Sequence, residues 1–203
     1  MIVIGLTGPS GAGKGYCDAI FQSFGIPYID TDKVYHDLLA PKSPCTNELR
    51  LAFGNDILTQ DGAIDRKELA KIVFSDPSGN LLKRLNSISH KYVIEETNRL
   101  LDIYRRQSKT AAVIDAPLLI EAEIHKNCDF TISILADKDV RLARIMERDG
   151  LDQAAAHMRL NAQKEDDFYS SQTKYTIQNN ADASHLKNEL ISILNVEGVP
   201  FEK

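Results

Sequence analysis

The chain has 203 residues, 43% of them apolar and 26% charged, with a formal net charge of −5. That length suits one domain with a sizeable core, and the acidic balance argues against nucleic acid as the main partner. No apolar run approaches the roughly 20 residues of a membrane span, and three cysteines without metal-ligand spacing fit reduced thiols in a cytoplasmic protein.

Ile2-Val3-Ile4 has the apolar, β-branched character of a buried parallel strand, and because it begins at residue 2 no signal peptide is expected. It leads into Gly5-Leu6-Thr7-Gly8-Pro9-Ser10-Gly11-Ala12-Gly13-Lys14-Gly15-Tyr16. Gly8 and Gly13, five apart, with Lys14 next, fit GxxxxGK, a loop whose backbone N–H groups converge on a di- or triphosphate. Lys14 supplies a mobile charge over the outer phosphates, and the following helix start adds donors and a positive dipole end. Gly15 stands where a Ser or Thr would hold Mg²⁺, and Tyr16 supplies no replacement. The competing reading is a glycine-rich turn without a ligand.

Cys17, Ile20, Phe21 and Phe24 recur at helical spacing, and Gly25 ends that helix. A short strand, 26–29, delivers Asp30-Thr31-Asp32 at its carboxyl end, the edge where open α/β sheets hold ligands. Asp32 suits a general base or a Mg²⁺ anchor. Helix capping by Asp32 or Thr31 is the plainer alternative.

Residues 33–100 are too long for a simple crossover. Their pattern predicts helices near 33–39, 46–53, 66–74, 78–89 and 91–106, with Asp65-Arg66 at one helix start and His90-Lys91 at a helix junction. Ala111-Ala112-Val113-Ile114 is the third expected strand, ending in Asp115-Ala116-Pro117-Leu118-Leu119-Ile120-Glu121. Residues 130–135 form the fourth, followed by Asp137 as a cap and a helix with Arg141, Arg144 and Arg148 on one face. An arginine stripe opposite an apolar one is usually a solvated face. After a strand in a phosphate-binding fold, a lid closing over a nucleotide is the rival reading. A helix over 151–166, a fifth strand at 175–177, Asn179 and a closing helix complete a five-stranded parallel sheet covered on both faces.

The chain resembles the dephospho-CoA kinase family over nearly its whole length. The signals that carry the resemblance are Gly5-Leu6-Thr7-Gly8 with the phosphate loop, Ile29-Asp30-Thr31-Asp32, Asp61-Gly62 with Ile64-Asp65-Arg66, His90, Pro117-Leu118-Leu119 with Glu121, Arg141, Arg144, Arg159 with Gln163, and Asn179. The resemblance implies a P-loop NTPase-type three-layer α/β/α fold with a five-stranded parallel sheet. It implies a single kinase domain: a core of 1–32, 107–140 and 171–203, a helical acceptor-binding insertion at 33–106, and a helical lid at 141–170.

The implied reaction moves the ATP γ-phosphoryl group to the ribose 3′-hydroxyl of dephospho-CoA, the last step of coenzyme A biosynthesis, with ATP and Mg²⁺. By matching position, Asp32 is the base, and Lys14 and Arg144 balance charge on the transferred group. ATP contacts would come from Gly8, Ser10, Gly11, Ala12, Gly13, Lys14, Gly15, Tyr16, Arg141, Arg144, Arg148 and Asn179. Acceptor contacts would come from Asp32, Arg66, His90, Pro117, Leu118 and Glu121, and Mg²⁺ contacts from Asp32 and Asp115, through water or directly. No nucleic acid, membrane or obligate protein partner is expected. Departures from the family pattern are Gly15-Tyr16 after the lysine, His90-Lys91 for His-Pro, and Thr173-Lys174 for Ala-Asp. The alternatives are another P-loop nucleoside or nucleotide kinase, and a nucleotide-binding regulator with weak turnover.

Overall fold

The computed structural model describes residues 1–180 and 183–202. Five strands, β1 (Ile2–Thr7), β2 (Tyr28–Asp30), β3 (Ala111–Asp115), β4 (Phe130–Leu135) and β5 (Tyr175–Gln178), lie in the order β2-β3-β1-β4-β5. The β1–β3, β1–β4 and β4–β5 pairs are parallel. β1 therefore sits at the centre, where an uninterrupted apolar run is buried on both faces. Its register sets Leu6 beside Asp115 and Thr7 beside Ser133, so the carboxyl ends of three strands open on one edge.

The chain divides into two compact units, one of Met1–Ile29 with Leu101–Lys203, the other Asp30–Leu100. In the first, Cys17 and Phe21 of α1 (Lys14–Ser23) and Leu186, Leu190 and Leu194 of α9 (Ala183–Val196) pack on Ile4, Leu6, Val113, Ile132 and Ile134. The opposite sheet face is closed tightly at Gly5. A Cβ there would lie 2.9 Å from Leu119 and 3.0 Å from both the Cys128 sulfur and the Thr131 methyl, so a larger residue would require these side chains to shift. The same unit carries α6 (Lys138–Asp149), α7 (Gln153–Asn161) and α8 (Asp166–Ser170). The helix expected over 151–166 is shorter than expected: only Gln153–Asn161 is helical there, and α8 begins at the expected end, Asp166. α7 stops at Ala162, which sits in the C-cap position, and Glu165 opens the next helix.

The second unit contains α2 (Thr31–Leu38), α3 (Pro44–Phe53), α4 (Arg66–Phe74) and most of α5 (Asn80–Arg106). Leu39, Cys45, Leu49, Ile57, Ile64, Leu69, Val73 and Ile88 form its core. Two expectations are corrected here. The helices expected at 78–89 and 91–106 are one 27-residue helix, so His90-Lys91 lies inside α5 and not at a junction. No Gly or Pro interrupts 80–106, and Leu81, Leu85, Ile88, Val93, Thr97 and Leu101 keep a helical period across the expected break. The cap of α2 is Asp30, whose Oδ1 accepts from the Asp32 and Lys33 N–H groups at 2.9 and 3.1 Å, in place of Thr31 or Asp32. Asp137 also occupies an N-cap position, but its side chain makes no cap bond.

Candidate active site

The loop between β1 and α1 turns on glycines. Gly8 has φ +136°, and a Cβ there would meet the Ile134 carbonyl oxygen at 2.1 Å. Gly13, the N-cap of α1, has φ +106°, and a Cβ there would meet Asn179 Nδ2 at 2.1 Å. Both positions demand glycine for conformation and for space. Gly15 differs: a Cβ there would meet no heavy atom within 4 Å, and its φ is not in the left-handed range. The fold therefore does not require glycine after Lys14. Tyr16 is 61% exposed at the same helix start.

The loop's carbonyl groups are held from outside. Arg141 Nε donates to the Ser10 oxygen at 3.1 Å, and Arg144 Nη1 to the Gly11 and Ala12 oxygens at 3.4 Å each. The buried Asn179 amide donates to the Ala12 oxygen at 2.8 Å. Lys14 Nζ donates to the Gly8 oxygen at 2.6 Å. Because these peptides are trans, the Gly11, Ala12 and Gly13 N–H groups point away from the bound carbonyls, the Ala12 N–H also reaching the Pro9 oxygen at 3.3 Å. The Ser10 N–H is held on the outer side by Gln163 Oε1 at 2.8 Å. N–H groups turned inward in this way have the arrangement of an anion nest. α1 begins at Lys14, so the first N–H groups of that helix add to it.

The arginine stripe is graded: Arg141 is buried, Arg144 half-buried and Arg148 exposed. Arg141 is only 2% exposed, with Asp166 Oδ1 3.4 Å from its Nη1. Burial pulls its guanidinium below the usual arginine value, and the Asp166 charge opposes that shift. Arg148 donates to Ser10 Oγ at 3.2 Å and makes two 2.8 Å bonds to Asp149. Arg159 of α7 reaches the same carboxylate at 2.6 Å. Hydrogen bonding to Arg148, followed by the charges of the two arginines, holds the Asp149 carboxyl below its ordinary value. Asp149 is a functional candidate absent from the residues singled out above, and Gln163 belongs to the family resemblance without a role attached to it. The acid directly after Arg148 at the end of α6 is the signal that points to Asp149.

Asp115 ends β3 beside Leu6, and Tyr28 donates its hydroxyl to Asp115 Oδ2 at 2.6 Å. Burial, then the Asp115 charge, pushes the Tyr28 hydroxyl far above its ordinary value. Pro117, Leu118 and Glu121 follow on the same edge, Leu118 and Glu121 exposed, and the Thr7 hydroxyl lies 3.5 Å from the Pro117 oxygen. In the second unit, Asp32 is an exposed residue of the first turn of α2. Arg66 is the exposed first residue of α4, behind its cap Asp65, and His90 is half-buried within α5. Among the described residues no group of three or more His, Cys, Asp and Glu side chains is placed to hold a metal.

A family pattern described as dephospho-CoA kinase matches residues 2–185. The chain belongs to the dephospho-CoA kinase family. The dephospho-CoA kinase of Moorella thermoacetica is 40% identical over 82% of this chain and 78% of its own length. Among solved structures, a Thermus thermophilus protein has a TM-score of 0.78 at 27% identity, covering 96% of this chain and 97% of that one. The dephospho-CoA kinase of Campylobacter jejuni has a TM-score of 0.68 at 25% identity, with 95% of each chain covered.

Proposed function

We propose that this chain transfers the γ-phosphoryl group of ATP to the ribose 3′-hydroxyl of dephospho-CoA, giving coenzyme A and ADP. The observation that carries the reading is the nest at Gly8–Lys14, held by Arg141, Arg144 and Asn179 in a member of the dephospho-CoA kinase family. Phosphoryl transfer asks little covalent chemistry of a protein and much positioning and charge stabilisation. The loop N–H groups seat the outer phosphates and Lys14 carries positive charge beside them, while Arg144, bonded to the Gly11 and Ala12 oxygens in this structure, would have to leave those carbonyls to balance charge on the transferred group. Gly15 and Tyr16 line the helix start, and Arg148 stands beside Ser10. Asp32 takes the proton of the attacking hydroxyl. Arg66, His90, Pro117, Leu118 and Glu121 are the residues proposed to contact the acceptor. Residues 141–170 act as the lid that excludes water.

Mg²⁺ fits the donor set if it rests mainly on phosphate oxygens and water, as Mg²⁺ commonly does with one or two carboxylates. Asp115, at the sheet edge beside the loop, and Asp32 are the carboxylates proposed for it. The ion would neutralise charge on the β- and γ-phosphates. Three free cysteines support a reducing, cytoplasmic setting.

A coupled assay for ADP release, with dephospho-CoA and a panel of nucleosides and nucleotides as acceptors, tests the reading. ATP turnover accelerated by dephospho-CoA above the rest of the panel is expected. Stronger acceleration by another acceptor would assign a different kinase, and none by any acceptor would leave a nucleotide-binding regulator.

A further inference from the structure

We propose that Gln163 is a positioning residue for nucleotide binding, which keeps the phosphate loop in shape through Ser10 and orients Arg141. The inference rests on the reading of this loop as an ATP site. Ser10 is held at all three of its polar groups by residues between 141 and 163. Its N–H donates to Gln163 Oε1 at 2.8 Å, its carbonyl accepts from Arg141 Nε at 3.1 Å, and its hydroxyl accepts from Arg148 Nη2 at 3.2 Å.

The Gln163 oxygen has a second donor, Arg141 Nη2 at 2.9 Å. An amide oxygen has two lone pairs, so one atom satisfies a loop N–H and a guanidinium N–H together. Arg141 and Gln163 thereby grip the two sides of one peptide segment while bonding to each other. Gln163 lies in the turn between α7 and α8, and its own N–H reaches the Leu160 oxygen at 3.3 Å. Loss of the oxygen would leave a loop N–H and a buried cationic N–H without their acceptor, and a buried group left so costs more than the bond itself contributes. The peptide planes around Ser10 would then turn to find other partners. The neighbouring N–H groups, whose directions make the nest, would follow. Gln163 makes these contacts from the side of the loop carbonyls, so its effect reaches the nucleotide through Ser10 and Arg141.

Titration calorimetry with ATP and, separately, with dephospho-CoA on wild type, Gln163→Met and Gln163→Glu tests this. Methionine matches the length of glutamine without an oxygen acceptor, and is expected to weaken ATP binding about tenfold while leaving the dephospho-CoA Kd within about twofold. Glutamate keeps an oxygen for both donors and is expected to bring the ATP Kd back to within about threefold of wild type. The inference is overturned if methionine leaves the ATP Kd unchanged, if it weakens both ligands alike, or if glutamate is as impaired as methionine. Should the methionine variant fail to fold, Gln163→Asn, too short to reach both donors, takes its place under the same criteria. Wild-type protein that binds ATP but does not turn over dephospho-CoA would sink the proposed acceptor and leave this test standing. Wild-type protein that does not bind ATP would overturn both.

Discussion

Asp32 and Gly15 are the residues on which the proposed chemistry presses hardest. With Asp30 acting as the helix cap, the Asp32 carboxylate is not needed to start α2. Asp32→Asn is therefore expected to fold and to bind ATP, yet to lose about 10²–10⁴-fold in turnover, the usual contribution of a general base. Stopped-assay rates beside ATP titrations check this, and near-normal turnover would remove Asp32 from the mechanism. Two loop glycines make a sharp contrast. Gly8→Ala drives a methyl into the Ile134 carbonyl at a positive φ and is expected to destabilise the protein and weaken ATP binding. Gly15→Ala meets no atom, needs no left-handed backbone, and is expected to raise the melting temperature slightly, because alanine suits a helix better than glycine. A thermal melt of the two variants decides the pair, and equal losses would contradict the geometry.

Elements are legible where one physical signal dominates. β1, the phosphate loop and α1 follow from an apolar run, glycine spacing and a helical period, and all three lie where those signals put them. The continuity of α5 is harder to read, because a His-Lys pair of unremarkable propensity resembles a boundary, while the uninterrupted apolar period decides the outcome. The partners of Arg141 are not legible at all. Ser10, Gln163 and Asp166 are brought to one guanidinium by tertiary packing, and spacing along a helix says nothing about what a side chain meets across it. At this scale caps are the simplest devices to test. Ser43 Oγ accepts from the Thr46 N–H at 2.9 Å and so caps α3, away from every proposed contact. Ser43→Ala is expected to cost about 1 kcal/mol of stability with the ATP Kd unmoved. Urea unfolding measures the first and titration the second.

At the scale of the molecule, the buried thiols set a pH limit. Burial pushes Cys17 and Cys128 up to about 12 and Cys45 up to about 11, from an ordinary value of 9.0. A raised folded value means the neutral thiol is favoured by the fold. The stabilisation is whole below pH 9, where the unfolded thiols also stay protonated. It falls as pH rises through 9 toward 11 and 12, because only the unfolded chain then releases protons. For Cys17, fully buried against the sheet, the loss is about 1.4 kcal/mol per pH unit in that window. Urea midpoints are expected to hold from pH 7 to 9 and then drop, and Cys17→Ala should flatten that drop. An unchanged alkaline slope in the variant would assign it to other groups. No helix among the described residues is long and apolar enough to cross a membrane.

The outward carbonyls of Ser10, Gly11 and Ala12 have one more consequence. A loop braced from behind by two arginines and an asparagine takes its shape before any ligand arrives. Its inward donors are peptide groups, and peptide groups cannot tell one nucleobase from another. On the proposed reading, affinity and selectivity are divided between different parts of the protein: the nest recognises a chain of phosphates, whatever it is attached to. Inorganic tripolyphosphate should compete with ATP for this seat, and GTP should fill it as readily, so any preference for adenine has to be imposed by residues beyond the loop.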